Sequence, residues 1–195
     1  QPAVLHEAVS DGLALAVDTA NWQLGEGTQC AGYRNACWPA CGVAPPFTVD
    51  PGCASPPPPP AAPPCKAGQP RLWQDYALKI AANEPALATH HNSGILNFAW
   101  FLIGSDFTHN VGGGPDAGGL GIAGLGRPTL GELIARWPTM WANTVPAPAS
   151  PATPVFDGLN VTLAAAAAAM GPVVEATVKR AFAAVGLWRT DARSG

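Results

Sequence analysis

Glu7 and Asp11 stand four residues apart in the apolar stretch AVLHEAVSDGLALAVDTA, and on a helix that spacing puts both carboxylates on one face. Buried acids need a partner, so each should meet a ligand or a structural counterpart. His90 and His91 are adjacent, ahead of a second apolar stretch, and read either as metal ligands or as polar residues at a helix start. Arg34 taken alone is a solvated surface arginine. Cys30, Cys37, Cys41, Cys53 and Cys65 crowd into one Pro- and Gly-rich stretch. They contain no CxxC pair, and the Cys37-x-x-x-Cys41 spacing alone is a weak zinc signal. Disulfides are therefore favoured over a metal knuckle, with the pairing open and one thiol left over.

Three tempting motifs are set aside. His6-Glu7 begins like the HExxH zinc motif, but the residue three after Glu7 is Ser10, not His. Gly121-Ile-Ala-Gly-Leu-Gly126 has the look of a dinucleotide fingerprint. That fingerprint needs a strand before it, a helix opening on its last glycine and an acid further on, and the sequence signals none of them. Asn160-Val-Thr162 fits a glycosylation acceptor, yet it falls at an expected helix start, where Asn is favoured as a cap.

The elements that must position these residues are helical. Apolar side chains at Val4, Leu5, Ala8, Val9, Leu13, Leu15, Ala16 and Val17 are too widely spread for a surface helix, so residues 3–20 read as a mostly buried one. Residues 21–69 turn to Gly, Pro and Cys and end in the run Pro56 to Pro60, which predicts a long loop region with an insertion. Arg71 to Ala82 predicts a short helix, and Asn92 to Ile103 a core helix with Ile95, Phe98, Ala99, Leu102 and Ile103 in period. Gly112 to Gly126 reads as a glycine-rich loop, Thr129 to Trp141 as a helix, and Pro146 to Pro154 as a linker. A last helical pair, Asp157 to Met170 and Val173 to Val185, is broken at Gly171-Pro172. No alternation of period two stands out, so the chain is expected to be mainly α, a helical assembly.

Composition narrows the partners. The 195 residues suffice for one domain or two small ones. With net charge -3 and 12% charged residues there is no basic footprint for phosphate backbones, and nucleic acid is not expected as a partner. The longest apolar run, Leu163 to Met170, falls far short of the roughly 20 residues that cross a bilayer, so no membrane span is expected and the protein should be soluble. No export signal is visible at Gln1, which leaves room for a gene that begins further upstream.

Several segments, in one order over nearly the whole chain, resemble the thermolysin-like zinc metalloproteases. Glu7-Ala-Val-Ser-Asp11 is similar to the family's NEAISD, Trp22-Gln-Leu-Gly-Glu26 to DWEIGED, and Tyr33-Arg-Asn-Ala to LRSM. His90-His-Asn-Ser-Gly-Ile-Leu-Asn97 is similar to VHINSGIIN, with the apolar helix following in register through Ile103. Gly124-Leu-Gly-Arg-Pro-Thr-Leu-Gly131 resembles GIGRDKLG, and Val178 to Gly186 resembles VKQAFDAVGV near the family's carboxy terminus.

The resemblance implies a helical carboxy-terminal domain spanning 1–195, with 37–69 as a Cys/Pro-rich loop insertion, in a secreted endopeptidase acting on peptide or protein substrates. It implies Glu7 as the third zinc ligand, Asp11 as the acid orienting a zinc-bound histidine, His90 as the oxyanion donor, and Arg34 as the donor to a substrate carbonyl. Leu24, Gly25 and Tyr33 fall on the segments that line the substrate cleft. The family's HExxH helix, which brings two histidine ligands and the glutamate base, is not in this sequence. One carboxylate does not hold catalytic zinc, so the chain is expected to need the amino-terminal half as a partner and to be inactive alone.

Other positions depart from the pattern. Where the family has an acid that orients the oxyanion histidine, this chain has Pro85, with Glu84 as the nearest substitute. The family's double calcium site matches Asp18, Asn21, Gln23 and Glu26; two of these are neutral, so calcium binding is expected to be weakened or lost. Disulfides in the inserted loop would then serve as its staple.

Overall fold

The computed structural model describes residues 2–18, 22–24, 34–36, 85–111, 120–144 and 155–187. All five cysteines, the expected helix at Arg71 to Ala82, the linker from Pro146 to Pro154, the insertion at 37–69 and Glu84 lie outside them.

The described part is mainly helical, as composition and periodicity lead one to expect. Helix α1 spans Pro2–Val17, α2 Pro85–Gly104, α3 Arg127–Thr144, α4 Val155–Met170 and α5 Pro172–Ala184. Helix α2 is central: α1, α3 and α5 pack around it, and α4 lies against α3 and α5. Its sequence dictates that place, since a stretch such as Ile95-Leu-Asn-Phe-Ala-Trp100, apolar nearly all round, is stable only when surrounded; every residue from Asn92 to Ser105 is buried. Ile95, Leu96, Phe98, Trp100, Phe101, Leu102 and Ile103 form the middle of the core, each fully buried large side chain contributing about 1.5–3 kcal/mol. Leu130, Leu133 and Ile134 of α3 close it from one side, and Phe182 of α5 from another, edge-on to Trp100 at 6.0 Å between ring centroids.

Two short antiparallel ribbons accompany the helices, although no alternation of period two stands out in the sequence. Strands β1 (Gln23–Leu24) and β2 (Arg34–Asn35) pair with Leu24 opposite Arg34. Strands β3 (Thr108–Val111) and β4 (Leu120–Ala123) pair with His109 opposite Ile122. Strands of two and four residues are too short to write a period-two pattern into the sequence. Strand β4 also falls inside the expected glycine-rich loop, and a helix does open directly after Gly126. The dinucleotide fingerprint fails for another reason than a missing strand: β4 contains the first glycine and belongs to an antiparallel hairpin, not to a parallel βαβ unit.

Helix limits differ from expectation in instructive places. Helix α2 starts at Pro85, so His90 and His91 lie inside it rather than at its start; proline fits the first turn, where its missing N–H costs nothing. Asn160 is interior to α4, which begins at Val155, so it is not a cap. The break between α4 and α5 falls at Gly171, whose φ of 122° suits glycine alone, followed by Pro172 at the start of α5. At the far end Gly186 has φ 79°, its N–H bonds the Ala183 carbonyl at 2.9 Å, and the Leu187 N–H bonds the Phe182 carbonyl at 2.8 Å. This is a Schellman termination, with Leu187 folded back into the core.

From Glu7 to Val17, where burial is described, helix α1 is not mostly buried. Ala8, Asp11, Gly12 and Leu15 face the core, whereas Ser10, Leu13, Ala14 and Val17 form an exposed stripe, with Val17 83% accessible. Among the described residues no helix is long and apolar enough to cross a membrane.

Candidate functional site

The two acids of α1 lie one turn apart, Glu7 half-buried at the edge of the exposed stripe and Asp11 buried at 7% exposure. Asp11 is turned toward α2, where the Asn97 carboxamide donates to its Oδ2 at 2.7 Å. Next to this bond the Trp100 indole N–H donates to the Ala8 carbonyl at 3.0 Å. The helices come this close because Gly12 has no side chain: a Cβ there would lie 3.0 Å from the Trp100 Nε1 and 2.7 Å from the Ile134 Cδ1. Two polar tethers and one glycine thus set how α1 sits on α2.

Asp11 meets Asn97, Gly12 meets Trp100, and Trp22, beyond the end of α1, rests on Phe101 and against Gly104 at the end of α2. His90 is seven residues before Asn97, two turns on the same stripe of α2 and about 10 Å along its axis. Glu7 is about 6 Å before Asp11 along α1. The candidate ligand and the candidate oxyanion donor are thus carried on two adjacent helices.

Arg34 and Leu24 are opposite one another in the β1–β2 ribbon, which packs against α2 and the end of α1. The ribbon is held to its flank by the Ala36 N–H, which donates to the Trp22 carbonyl at 2.9 Å. For His90, Leu24 and Arg34 the described part is the backbone; Gly25, Glu26, Tyr33 and Asn21 lie outside the described residues.

The candidate calcium position at Asp18 follows α1 directly and is exposed. Its carbonyl oxygen accepts a hydrogen bond from the Arg127 guanidinium, which also bonds the Leu15 carbonyl at 2.8 Å. A fixed positive charge on that oxygen works against a second cation there. Among the described residues no three His, Cys, Asp or Glu side chains gather as a metal group would require.

The sequence assigned no role to three residues that organise the region: Asn97, Trp100 and Arg127. Asn97 carries a visible signal, an amide set in the otherwise apolar run Ile95 to Ile103. Buried amides of this kind are hydrogen-bonded to something specific. Arg127 carries none, because its burial at 9% exposure depends on where α1 and Trp22 come to lie.

No protein-family model, no curated protein and no solved structure matches this chain.

Proposed function

We propose that this chain is the carboxy-terminal helical part of a secreted, thermolysin-like zinc metalloendopeptidase, acting on peptide or protein substrates. The observation that supports it most is the arrangement on α1 and α2: Glu7 one turn from a buried Asp11, with His90 on the stripe of α2 that carries Asp11's partner. In this reading Glu7 is a zinc ligand and Asp11 accepts the N–H of a second, imidazole ligand. His90 donates to the oxyanion, and Arg34 donates to a substrate carbonyl in a cleft that Leu24, Gly25 and Tyr33 line.

The residues present do not make a zinc site by themselves. One carboxylate falls short of the three protein ligands that catalytic zinc takes, and two imidazoles and the general base must come from a HExxH helix outside this sequence. Calcium binding in the same reading is weak, given two neutral residues among the four positions and the Arg127 guanidinium on the Asp18 carbonyl.

One observation favours a second reading, a non-catalytic helical domain that retains the fold and binds peptides. Asp11 already has a structural partner in Asn97, one that requires no metal. Zinc content and casein cleavage of the purified chain test the first reading's claim about the chain alone, with neither expected; stoichiometric zinc with turnover would overturn it. Sequencing the DNA ahead of Gln1 separates the two readings: an upstream HExxH supports the peptidase, and its absence leaves the domain reading. In a complete protein Asp11→Asn should lower activity or zinc affinity by about 10–100-fold.

A further inference from the structure

Arg127 opens α3, yet its side chain serves the other end of the molecule's first helix. The guanidinium donates from Nη1 to the carbonyls of Leu15 at 2.8 Å and of Asp18, at the carboxy-terminal end of α1. A cation at that end also complements the helix dipole. The same guanidinium sits over the Trp22 ring, with its central carbon 3.9 Å from the ring centroid. Trp22 in turn stands edge-on to Phe101 at 5.1 Å, and its carbonyl accepts the Ala36 N–H that holds β2 in place.

One buried charge therefore joins three things: the end of the helix that carries Glu7 and Asp11, the tryptophan that starts the ribbon, and through its carbonyl the strand that carries Arg34. A lysine could reach the carbonyls but has no plane to lay on the indole, so the site calls for arginine. Cutting this link would let the ribbon move relative to α1 while the α2–α5 core stays packed, because Arg127 contributes nothing to the contacts among Trp100, Phe182 and Leu187.

We propose that Arg127 is a positioning residue that fixes the Glu7 and Asp11 helix against the ribbon carrying Arg34. Its meaning for catalysis rests on the peptidase reading; the link itself does not. Residue-resolved amide hydrogen exchange on this chain tests the link in Arg127→Met, which keeps the apolar stem, and in Arg127→Lys, which keeps the charge. The expected result is exchange at least about tenfold faster at the Ala36 and Asp18 amides in Arg127→Met, which loses the charge-assisted hydrogen bonds, and faster at Ala36 in Arg127→Lys, which loses the guanidinium over the ring, with the Leu187 amide unchanged in both. An equal rise at Leu187 would reduce Arg127 to a contributor to global stability, and an unchanged Ala36 amide would remove the link altogether; either overturns the proposal. In a complete peptidase, Arg127→Lys should raise KM severalfold and leave kcat nearly unchanged. A failure there, with the exchange result intact, would count against the peptidase reading alone.

Discussion

The Asn97 carboxamide reaches across from the central helix to the Asp11 carboxylate at 2.7 Å, in a place where neither side chain is open to solvent. The Asn97 Oδ1 has no hydrogen-bond partner among the described residues. An amide that gives its N–H to a carboxylate and keeps its own oxygen unused is set to serve that carboxylate, so the α1–α2 pairing depends on this bond for register as well as stability.

Removing either partner should therefore be costly. Asp11→Ala and Asn97→Ala are each expected to lower stability by about 1.5–3 kcal/mol, the range for a hydrogen bond to a charged group. The double variant should lose less than the sum, since both changes break one bond. Urea denaturation midpoints of the three variants measure this, and strict additivity would show that the two side chains act independently.

The orientation of α1 makes a second prediction. Leu15 is fully buried and Leu15→Ala should cost about 2–5 kcal/mol. Val17 is exposed, and Val17→Lys should stay within about 0.5 kcal/mol of the parent. Thermal denaturation of both variants checks the helix face; a large loss for Val17→Lys would place that stripe in an interface.

Two glycines with opposite surroundings should respond oppositely to alanine. A methyl group at Gly124 would run into the Ser105 backbone carbonyl and hydroxyl, so Gly124→Ala should cost about 3 kcal/mol or more. At Gly131, within α3, the added Cβ would meet the Ala16 Cβ at 3.4 Å, an ordinary contact. Gly131→Ala should gain up to about 1 kcal/mol from helix propensity. Melting temperatures that fall for the first and hold or rise for the second fit this packing.

The surface ion pairs should matter little. Arg136 and Glu132 pair at 2.5 Å with about half of each side chain accessible, and Lys179 pairs with Glu175 at 2.5 Å in a similar setting. Glu132→Ala and Lys179→Ala are expected to change stability by less than about 0.5 kcal/mol each. A larger loss in chemical denaturation would mean that these charges reach partners beyond their own helix.

The centres of the helices were legible because burial on one or more sides repeats with the helical period, as at Leu130, Leu133 and Ile134. Their limits were less so. His90 and His91 interrupt the apolar period, which moved the expected start of α2 to Asn92, although Pro85 carries a start signal of its own. The ribbons escaped notice because pairing between Leu24 and Arg34, or His109 and Ile122, is a contact between distant segments that short strands do not announce locally.

For the candidate site, the spacing of Glu7 and Asp11 was enough to put both on one side of a helix, since helical geometry is local. Which side faces the core was not, and the wide apolar spread of α1 pointed to more burial than it has. Tertiary structure alone decided that Asp11 meets Asn97, that Ser10, Leu13, Ala14 and Val17 face outward, and that Arg127 closes the end of α1. Each of these depends on how separate helices stack and in which direction they run, and that is set by the fit of whole faces such as Gly12 beneath Trp100 rather than by any run of neighbouring residues.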